Sequence, residues 1–502
     1  MVLMGENRSG KDVKFIWRYA VVACAMLAIG LFSFSAVYAI RGNSTTAAPN
    51  QTNNITIYRV QPANANVVTG AQNVVRYDFN VEHLYHSNAS VDPVTQYLNA
   101  AIYGPATIYG NVLLVSTMGN LTNLENSRYD LTNGSVAAVD LNTGKLLWRD
   151  YFPNQIMSEP IAVDNLAVVG ISNNGEVPAR YYNTNYDGIA AINITTGQIV
   201  WITRNNDGGS TGPDMPTPAY FNGNIIEPGI GSVDFLNLTT GRIVNIVSTG
   251  LPDTLSSPLL ANGTIYFGAG YATVYGFKNL YQNLSDVPVN VITNFTFFAM
   301  NATTGNFLWS DHFPNAGGGL NDVSPALWNG TVVTGFLYRS DYADPWVVGI
   351  NMTTGNVLWE TNETAYIDSM ANKSEQLPST INFGYNQNSI SPVTIFRGTA
   401  YLDSNFLGYL VAVNISTGKI IWAVNTSQDE SNPNVFYGNY LLQINDNGIL
   451  YVLNATTGSL INHVDLAMPH LSGEPIITSK YAILTGMDGR IIYVPLSTLI
   501  NG

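Results

Sequence analysis

The chain has 502 residues, of which 46 % are hydrophobic and only 11 % are charged, against about 25 % charged in an ordinary soluble protein. Its formal net charge is −14. An acidic, charge-poor chain is not typical of nucleic-acid-binding proteins, which need clustered Lys and Arg, or of coiled coils and disordered chains. The single cysteine, Cys24, excludes a disulfide framework and sites built on several thiolates.

An apolar segment without charges runs from Val21 to Ile40 and is long enough, at about 30 Å, to cross a bilayer as a helix. Arg8, Lys11, Lys14 and Arg18 precede it, so the positive-inside rule keeps residues 1–20 in the cytoplasm and exports the remainder. The sequence therefore predicts a transmembrane signal anchor over residues 21–40. A cleavable signal peptide ending near Ala39 is the alternative. In either case the predicted location of the folded part is the extracytoplasmic side of the cell membrane.

Sequons for N-glycosylation agree with export because they are dense throughout the exported part. Among the sequons outside the repeated phrase described below, the glycosylation candidates are Asn88, Asn120, Asn262, Asn283, Asn329, Asn362 and Asn372. The scarcity of charge also limits how far the net charge changes when carboxylates become protonated. The composition therefore suggests the hypothesis that the protein functions in an acidic medium.

Residues 41–72 are rich in Asn, Thr, Ala and Gln without periodicity, which predicts a linker ahead of one folded unit over residues 73–502. One phrase of the type A-x-N-x-T-T-G-x-x-x-W recurs seven times in that unit. The copies span Ala138–Trp148, Ala191–Trp201, Phe235–Asn245, Ala299–Trp309, Gly349–Trp359, Ala412–Trp422 and Val452–Asn462. Their glycines are Gly144, Gly197, Gly241, Gly305, Gly355, Gly418 and Gly458.

A second phrase alternates with the first: a proline, a short apolar strand, a tight turn such as Asn-Gly and another strand. Eight prolines open these phrases: Pro105, Pro160, Pro218, Pro258, Pro325, Pro392, Pro433 and Pro475. Four strands in a unit of about 40 residues indicate a β-propeller blade. The sequence therefore predicts an all-β, eight-bladed propeller preceded by one transmembrane helix.

The tryptophans of the phrase occupy equivalent positions, so we expect each of them to pack between neighbouring blades and not to bind a ligand. They are Trp148, Trp201, Trp309, Trp359 and Trp422. The C-terminal blade has room for three strands only. We expect the alternating segment Val74–Tyr85 to supply its fourth strand and so close the ring.

This repeat resembles that of the quinoprotein alcohol dehydrogenase-like β-propellers, or PQQ-repeat propellers, and the resemblance covers roughly residues 100 to 500. Only the first copy has the Asp of the family phrase, Asp140, whereas the other six have Asn, which can cap the same turn without a charge. Catalytic members of that family bind pyrroloquinoline quinone. The resemblance therefore implies this quinone and Ca²⁺ as candidate cofactors, at one end of the central channel.

Loops that lead into the proline-opened strands carry clustered charge and supply the candidate ligand-face residues. These are Glu159, Arg204, Asp207, Asp214, Asp322 and Glu474. In one interpretation several of their oxygens converge on Ca²⁺, which polarises a quinone carbonyl while another carboxylate acts as general base. In the other they are solvated loop residues, because Asp, Asn and Gly favour turns.

Two departures from the family's dehydrogenases count against the enzymatic interpretation. The chain has no adjacent cysteine pair and no C-x-x-C-H haem attachment signal. We therefore predict a membrane-anchored propeller that acts as a binding or scaffold module for a protein or glycan of the cell envelope, with Tyr271–Asn294 and Thr361–Ser391 as the best interaction surfaces. A quinone- and calcium-dependent dehydrogenase of alcohols or sugars is the first alternative, and a cell-surface adhesion protein is the second.

Overall fold

The structure is a computed structural model of the whole chain. The following ranges are described: 57–58, 94–98, 100–102, 104–123, 128–130, 134–141, 143–152, 154–171, 188–204, 216–229, 231–251, 257–270, 295–320, 323–338, 341–370, 392–404, 408–426, 434–445, 448–466, 475–478, 480–486 and 489–501.

Eight antiparallel sheets of at least four strands each form the eight blades predicted from the repeats. Strands of one blade follow each other in the chain, and the first strands of neighbouring blades contact one another around the axis. From the axis outward, blade 1 contains β4 (Thr107–Tyr109), β5 (Val112–Thr117), β8 (Ser135–Asp140) and β9 (Leu146–Tyr151), and blade 2 contains β10 (Ile161–Val163), β11 (Leu166–Ile171), β12 (Gly188–Asn193) and β13 (Ile199–Arg204). In the same order, blade 3 contains β14 (Ala219–Phe221), β15 (Asn224–Pro228), β16 (Ser232–Asn237) and β17 (Ile243–Ser248), and blade 4 contains β18 (Leu259–Ala261), β19 (Thr264–Ala269), β20 (Thr296–Asn301) and β21 (Phe307–His312).

Blades 5 to 7 repeat this plan, and blade 8 takes its outermost strand from the N-terminal side of the chain. From the axis outward, blade 5 contains β23 (Ala326–Trp328), β24 (Thr331–Tyr338), β25 (Asp341–Asn351) and β26 (Val357–Asn362), and blade 6 contains β27 (Thr394–Phe396), β28 (Thr399–Ser404), β29 (Tyr409–Asn414) and β30 (Ile420–Asn425). In the same order, blade 7 contains β31 (Val435–Tyr437), β32 (Tyr440–Ile444), β33 (Ile449–Asn454) and β34 (Leu460–Asp465), and blade 8 contains β35 (Ile476–Ile477), β36 (Tyr481–Thr485), β37 (Arg490–Pro495) and β2 (Val94–Tyr97).

Closure of the ring occurs as predicted in kind, but through a different segment. Strand β2, Val94–Tyr97, pairs with β37 and completes blade 8. The prediction that Val74–Tyr85 fills this place is wrong, and that segment lies outside the described residues. The physical reason is that β2 lies next to blade 1 in the chain, so only a short connection is needed. Leu98 follows β2 directly, its backbone N–H donates to the carbonyl of Gly489, and the chain enters blade 1 a few residues later.

Smaller elements decorate the ring. β1 (Ile57–Tyr58), inside the predicted linker, pairs with β31, and β22 (Ala316–Gly318) pairs with β24. A separate three-stranded sheet contains β3 (Ala100–Ala101), β6 (Gly119–Asn123) and β7 (Arg128–Asp130). The two helices of the described part are α1 (Glu363–Met370) and α2 (Leu496–Asn501). Neither is long and apolar enough to span a bilayer, and the predicted anchor, residues 21–40, lies outside the described ranges.

Because neighbouring strands of each blade are antiparallel, the two ends of the propeller differ in the connections that they carry. Connections between first and second strands, and between third and fourth strands, are tight turns, and all of them lie on one side, which we call the turn face. Connections between second and third strands, and from one blade to the next, lie on the opposite side, the loop face. The two described candidate residues, Glu159 and Arg204, therefore lie on the loop face.

Turns between third and fourth strands are capped by the Asp or Asn of the repeat. Asp140 Oδ1 accepts bonds of 2.8 Å from both the backbone N–H and the hydroxyl of Thr143. Asn193 Oδ1 does the same for Thr196, at 2.9 and 3.1 Å. The expectation that Asn caps this turn as well as Asp is confirmed.

The repeat tryptophans lie between blades, as predicted. Each indole Nε1 donates to a backbone carbonyl of the next blade, for example Trp148 to Ile194 at 2.7 Å and Trp359 to Ile415 at 2.7 Å. The turn glycine of the next blade lies against the ring, so a Cβ on Gly197 would come within 2.7 Å of Trp148. Buried aliphatic and aromatic side chains fill the remaining space between the sheets.

Candidate functional site

A ladder of hydrogen bonds links the blades where their first strands begin, on the loop face. The backbone N–H of Glu159 donates to Thr217 Oγ1 at 3.2 Å. That of Thr217 donates to Ser257 Oγ at 3.0 Å, and that of Ser257 to Ser324 Oγ at 3.0 Å. These side chains are fully buried. Blades 2 to 5 are therefore joined by polar bonds around the channel mouth, in addition to the apolar packing further out.

Glu159 is part of this ladder of hydrogen bonds. It is 1 % exposed, and its Oε1 accepts a 2.9 Å bond from Thr107 Oγ1 of blade 1. Arg204 is exposed at the end of β13, the outer edge of the same blade, so the structure does not bring these two candidates together. Asp207, Asp214, Asp322 and Glu474 lie outside the described residues.

A pair of carboxylates that the sequence analysis did not single out lies in blade 3. Glu227 on β15 and Asp234 on β16 are direct cross-strand partners near the loop face. Glu227 is 1 % exposed and neither of its oxygens has a hydrogen-bond partner, whereas Asp234 is 6 % exposed and accepts a 2.9 Å bond from Ser232 Oγ. Both side chains point towards blade 2, on the side of the sheet that buries Ile225 and Leu236.

Glu227 keeps its proton at a pH where exposed carboxylates are ionised. Burial raises the pKa of Glu227 well above its usual range, and the neighbouring charge of Asp234 raises it further. The hydroxyl of Ser232 stabilises the ionised form of Asp234. Glu227 is thus the member of the pair that retains its proton. Such a pair can donate and accept a proton in the same step.

A second buried polar group lies between blades 6 and 7, and its members are hydrogen-bonded to one another. Asp403 Oδ2 accepts bonds from Gln443 Nε2 at 2.9 Å and from Asn434 Nδ2 at 3.4 Å. Asn434 in turn accepts a bond at its carbonyl from Thr394 Oγ1. Its amide partners make this cluster a polar cross-link between blades, unlike the Glu227–Asp234 pair.

The described residues do not bring together the ligands of a Ca²⁺ ion. Within the described ranges, no three His, Cys, Asp or Glu side chains are grouped so that they could hold a metal ion. The buried carboxylates are dispersed instead: Glu159 faces blade 1, Glu227 and Asp234 face blade 2, and Asp403 faces blade 7.

Sequence reasoning missed Glu227 and Asp234 because it searched the loops. The segment Ile225 to Asp234 contains a signal that it did not use. A carboxylate at Glu227 follows two apolar residues in a strand whose other copies are apolar or uncharged at this position, for example Phe267 and Leu484. An acid in an otherwise apolar strand of a repeat is a candidate functional residue.

The predicted interaction surfaces and sequons are placed only in part. Tyr271–Asn294 is outside the described residues, and Thr361–Ser391 begins as the end of β26 and helix α1. Asn262 and Asn329 are exposed in turns on the turn face. Asn362 donates its amide to both oxygens of Asp344, at 2.8 and 2.9 Å, which a glycan there would disrupt. The side chain of Asn120 is not described, and Asn88, Asn283 and Asn372 lie outside the described ranges.

Comparison with known families and proteins agrees with the architecture. Residues 102–287 match the family described as outer membrane protein assembly factor BamB. A tetrathionate hydrolase of Acidithiobacillus ferrooxidans is 24 % identical over 429 residues, which cover 78 % of this chain and 74 % of the relative. A tetrathionate hydrolase of Acidianus ambivalens is 23 % identical over 376 residues, which cover 62 % of this chain and 67 % of the relative.

Solved structures show the same fold at low sequence identity. BamB from Moraxella catarrhalis superposes with a TM-score of 0.53 at 13 % identity, covering 79 % of this chain and 98 % of that one. The quinohemoprotein alcohol dehydrogenase from Comamonas testosteroni superposes with a TM-score of 0.54 at 12 % identity, covering 78 % and 71 %. The protein is therefore an eight-bladed β-propeller, and the resemblance of its repeats to those of the PQQ-repeat propellers is confirmed.

Proposed function

We propose that this protein hydrolyses tetrathionate or a closely related polythionate outside the cytoplasm. The observation that carries the proposal is its similarity to two proteins named tetrathionate hydrolase, one of them aligned over 78 % of this chain. That alignment is long enough to take in most of the ring of blades. The low charge content supports the same conclusion, because it limits the repulsion that would unfold the protein in acid.

The reaction requires water and a means of moving its protons. Tetrathionate is ⁻O₃S–S–S–SO₃⁻, and attack of water on one sulfonate sulfur forms a new S–O bond and breaks the adjacent S–S bond. The products are hydrogen sulfate and HS–S–SO₃⁻, which can lose sulfur to give thiosulfate. Atoms and charge balance without an oxidant or reductant. One proton leaves the attacking water and one proton reaches the departing sulfur.

Glu227 and Asp234 are the described residues best suited to these two transfers. Asp234 is the more exposed of the two and accepts a hydrogen bond from Ser232, so it would take the proton from water. Glu227 keeps its proton because of burial and of the charge beside it, and it would return a proton to the leaving group. General acid–base groups of this kind contribute about 10²- to 10⁴-fold in rate. We place the reaction on the loop face, next to blade 2.

Assay of the purified protein with tetrathionate tests the proposal, with sulfate and thiosulfate measured as products. Wild-type protein should form both without an added electron acceptor. Asp234→Asn and Glu227→Gln should each lower kcat by about 10²-fold or more. Asp403→Asn changes a buried carboxylate on the other side of the ring and serves as the matched control. Turnover that depends on an added quinone or electron acceptor would instead indicate a dehydrogenase.

A scaffold role in the cell envelope is the second candidate, because residues 102–287 match the BamB family. In this case the loop face would bind a protein or glycan partner, and residues 21–40 would hold the propeller at the membrane. Protein that is inactive on tetrathionate but retains one envelope protein after crosslinking in cells would favour it.

A further inference from the structure

Charge is distributed unequally between the two faces of the disc. The described turn face carries five exposed cations and only two carboxylates. The cations are Lys145, Arg242, Arg397, Lys419 and Lys480, and the carboxylates are Asp140 and Asp164. Its formal charge is therefore +3, although the chain as a whole carries −14. Among the described residues, the exposed acids Asp368 and Asp465 lie on the opposite side, in helix α1 and at the end of β34.

This segregation is not a by-product of the repeat. Turns between third and fourth strands repeat the same capping residues, yet the residue after the glycine is a cation in three of them, Lys145, Arg242 and Lys419, and an acid in none. The turns between first and second strands add Arg397 and Lys480. A surface of this sign on an acidic protein favours an anionic partner.

Apolar side chains encircle the edge of the same face. The outer strands begin there, and an exposed apolar residue occupies the same position in seven blades. These residues are Leu147, Val200, Val244, Leu308, Leu358, Ile421 and Ile461, between 40 and 55 % exposed. A flat basic face bordered by apolar side chains fits the boundary between headgroups and acyl chains of a bilayer better than it fits a nucleic acid or a soluble anion.

A cavity of about 550 Å³ opens on the turn face between blades 7 and 8. Lys480 lines it together with the hydroxyl-bearing Tyr437, Tyr440, Tyr481 and Ser497, and Leu496 adds an apolar wall. The polar groups can donate hydrogen bonds to a phosphate, and tyrosines are suited to the membrane interface because they join an apolar ring to a polar tip. The cavity is of a size to take one headgroup.

The path of the N-terminal chain agrees with this orientation. β1 runs antiparallel to β31, and Ile57 pairs with Tyr437, the residue at the turn-face end of β31. The N-terminal end of β1 therefore lies at the turn face, the side on which the membrane would dock.

We propose that the turn face docks on an anionic lipid membrane, that the cavity between blades 7 and 8 takes a phosphorylated headgroup, and that the loop face is directed away from the bilayer. The exposed turn cations hold the face to the surface, and the apolar rim is immersed between the headgroups. The acidic loop face is repelled by the same surface and remains open to solutes.

The test uses the full-length chain with Cys24→Ser and one introduced cysteine, Gln198→Cys on the turn face or Ser369→Cys on the loop face, each carrying a fluorophore. Vesicles contain either phosphatidylcholine alone or three parts phosphatidylcholine to one part phosphatidylglycerol, with nitroxide-labelled headgroups as quenchers. Because the readout is the distance of each face from the lipid, it distinguishes face docking from attachment by an apolar anchor alone.

The label at position 198 should be quenched on the anionic vesicles only and released by 0.5 M salt, whereas the label at position 369 should not be quenched. Replacing Lys145, Arg242 and Lys419 by Glu should weaken this quenching well over tenfold, since each basic residue near an anionic surface contributes about fivefold. Arg204→Glu on the loop face is the control and should change nothing. Equal quenching on both lipids, or quenching at position 369, would overturn the proposal, whatever the activity on tetrathionate.

Discussion

Gly418 of blade 6 lies against the indole of Trp359 of blade 5, so closely that a Cβ at this glycine would be 2.7 Å from the ring atom Cδ2. The same glycine has a φ of +71°, which closes the turn, and the indole Nε1 donates to the carbonyl of Ile415 just before it. One contact thus joins the turn of one blade to the outer strand of the previous one. Equivalent glycines and tryptophans repeat it around the ring.

Replacing Gly418 by Ala should destabilise the ring through both strain and a clash. Gly438 is the matched control, because its φ is +62° and a Cβ there would meet nothing within 4 Å. We expect Gly438→Ala to cost about 1 kcal/mol, from the left-handed conformation alone, and Gly418→Ala to cost at least ~3 kcal/mol. Denaturant unfolding of the two variants measures the difference. Equal costs would show that the tryptophan moves aside freely.

Arg149 should be important for ring closure. Its Nε donates to Ser135 Oγ at 2.7 Å and its Nη1 donates to the carbonyl of Leu98, which follows the closing strand, at 2.6 Å. Arg149→Met keeps much of the apolar stem and removes both bonds, so we expect a loss of about 2–3 kcal/mol in unfolding free energy. Hydrogen exchange should then be faster in Val94–Tyr97 than in the other outer strands. Arg242→Met, on an exposed turn, is the control.

The stability of the protein should depend on pH through Glu227. Its folded pKa is raised well above the unfolded value by burial, so its protonated form favours folding. This contribution is complete below the unfolded pKa of about 4.3 and is lost as pH rises through the folded pKa. Burial also raises the pKa of Asp150, Asp311 and Glu360, which act in the same direction.

Glu227→Gln isolates that contribution, because Gln resembles the protonated acid at every pH. The variant should unfold at nearly the same temperature as wild type at pH 3 and at a higher temperature at pH 7. Calorimetry at both pH values measures this. A variant with the same pH dependence as wild type would show that Glu227 is ionised without penalty in the folded protein.

Much of the fold could be predicted from the sequence, because each blade repeats the same physical requirements. Gly144 and its six counterparts mark a turn that needs positive φ, and Trp148 and its counterparts mark the interface with the next blade. It could be predicted that an N-terminal strand closes the ring, but not which segment supplies that strand. Val74–Tyr85 and Val94–Tyr97 both have strand-like patterns, and only pairing with Arg490–Pro495 distinguishes them.

The candidate site was less predictable, because its residues come from strands and not from the loops that attract attention. Glu159 precedes a proline in a charged loop, and nothing in its sequence indicates that it is buried against Thr107. Glu227 and Asp234 are separated by a short turn, and their meeting depends on the register of one hairpin. The solvated-loop interpretation does not describe Glu159, which is buried.

One measurement tests most directly the proposal that this propeller hydrolyses polythionates. Purified wild-type protein is incubated with tetrathionate at acidic pH, without metal, quinone or electron acceptor added, beside Asp234→Asn as the matched variant. Formation of sulfate and thiosulfate by wild type, with at least a hundredfold loss in the variant, is the expected result. Undiminished turnover in the variant would remove Asp234 from the mechanism, and the absence of both products with wild type would contradict the proposed function itself.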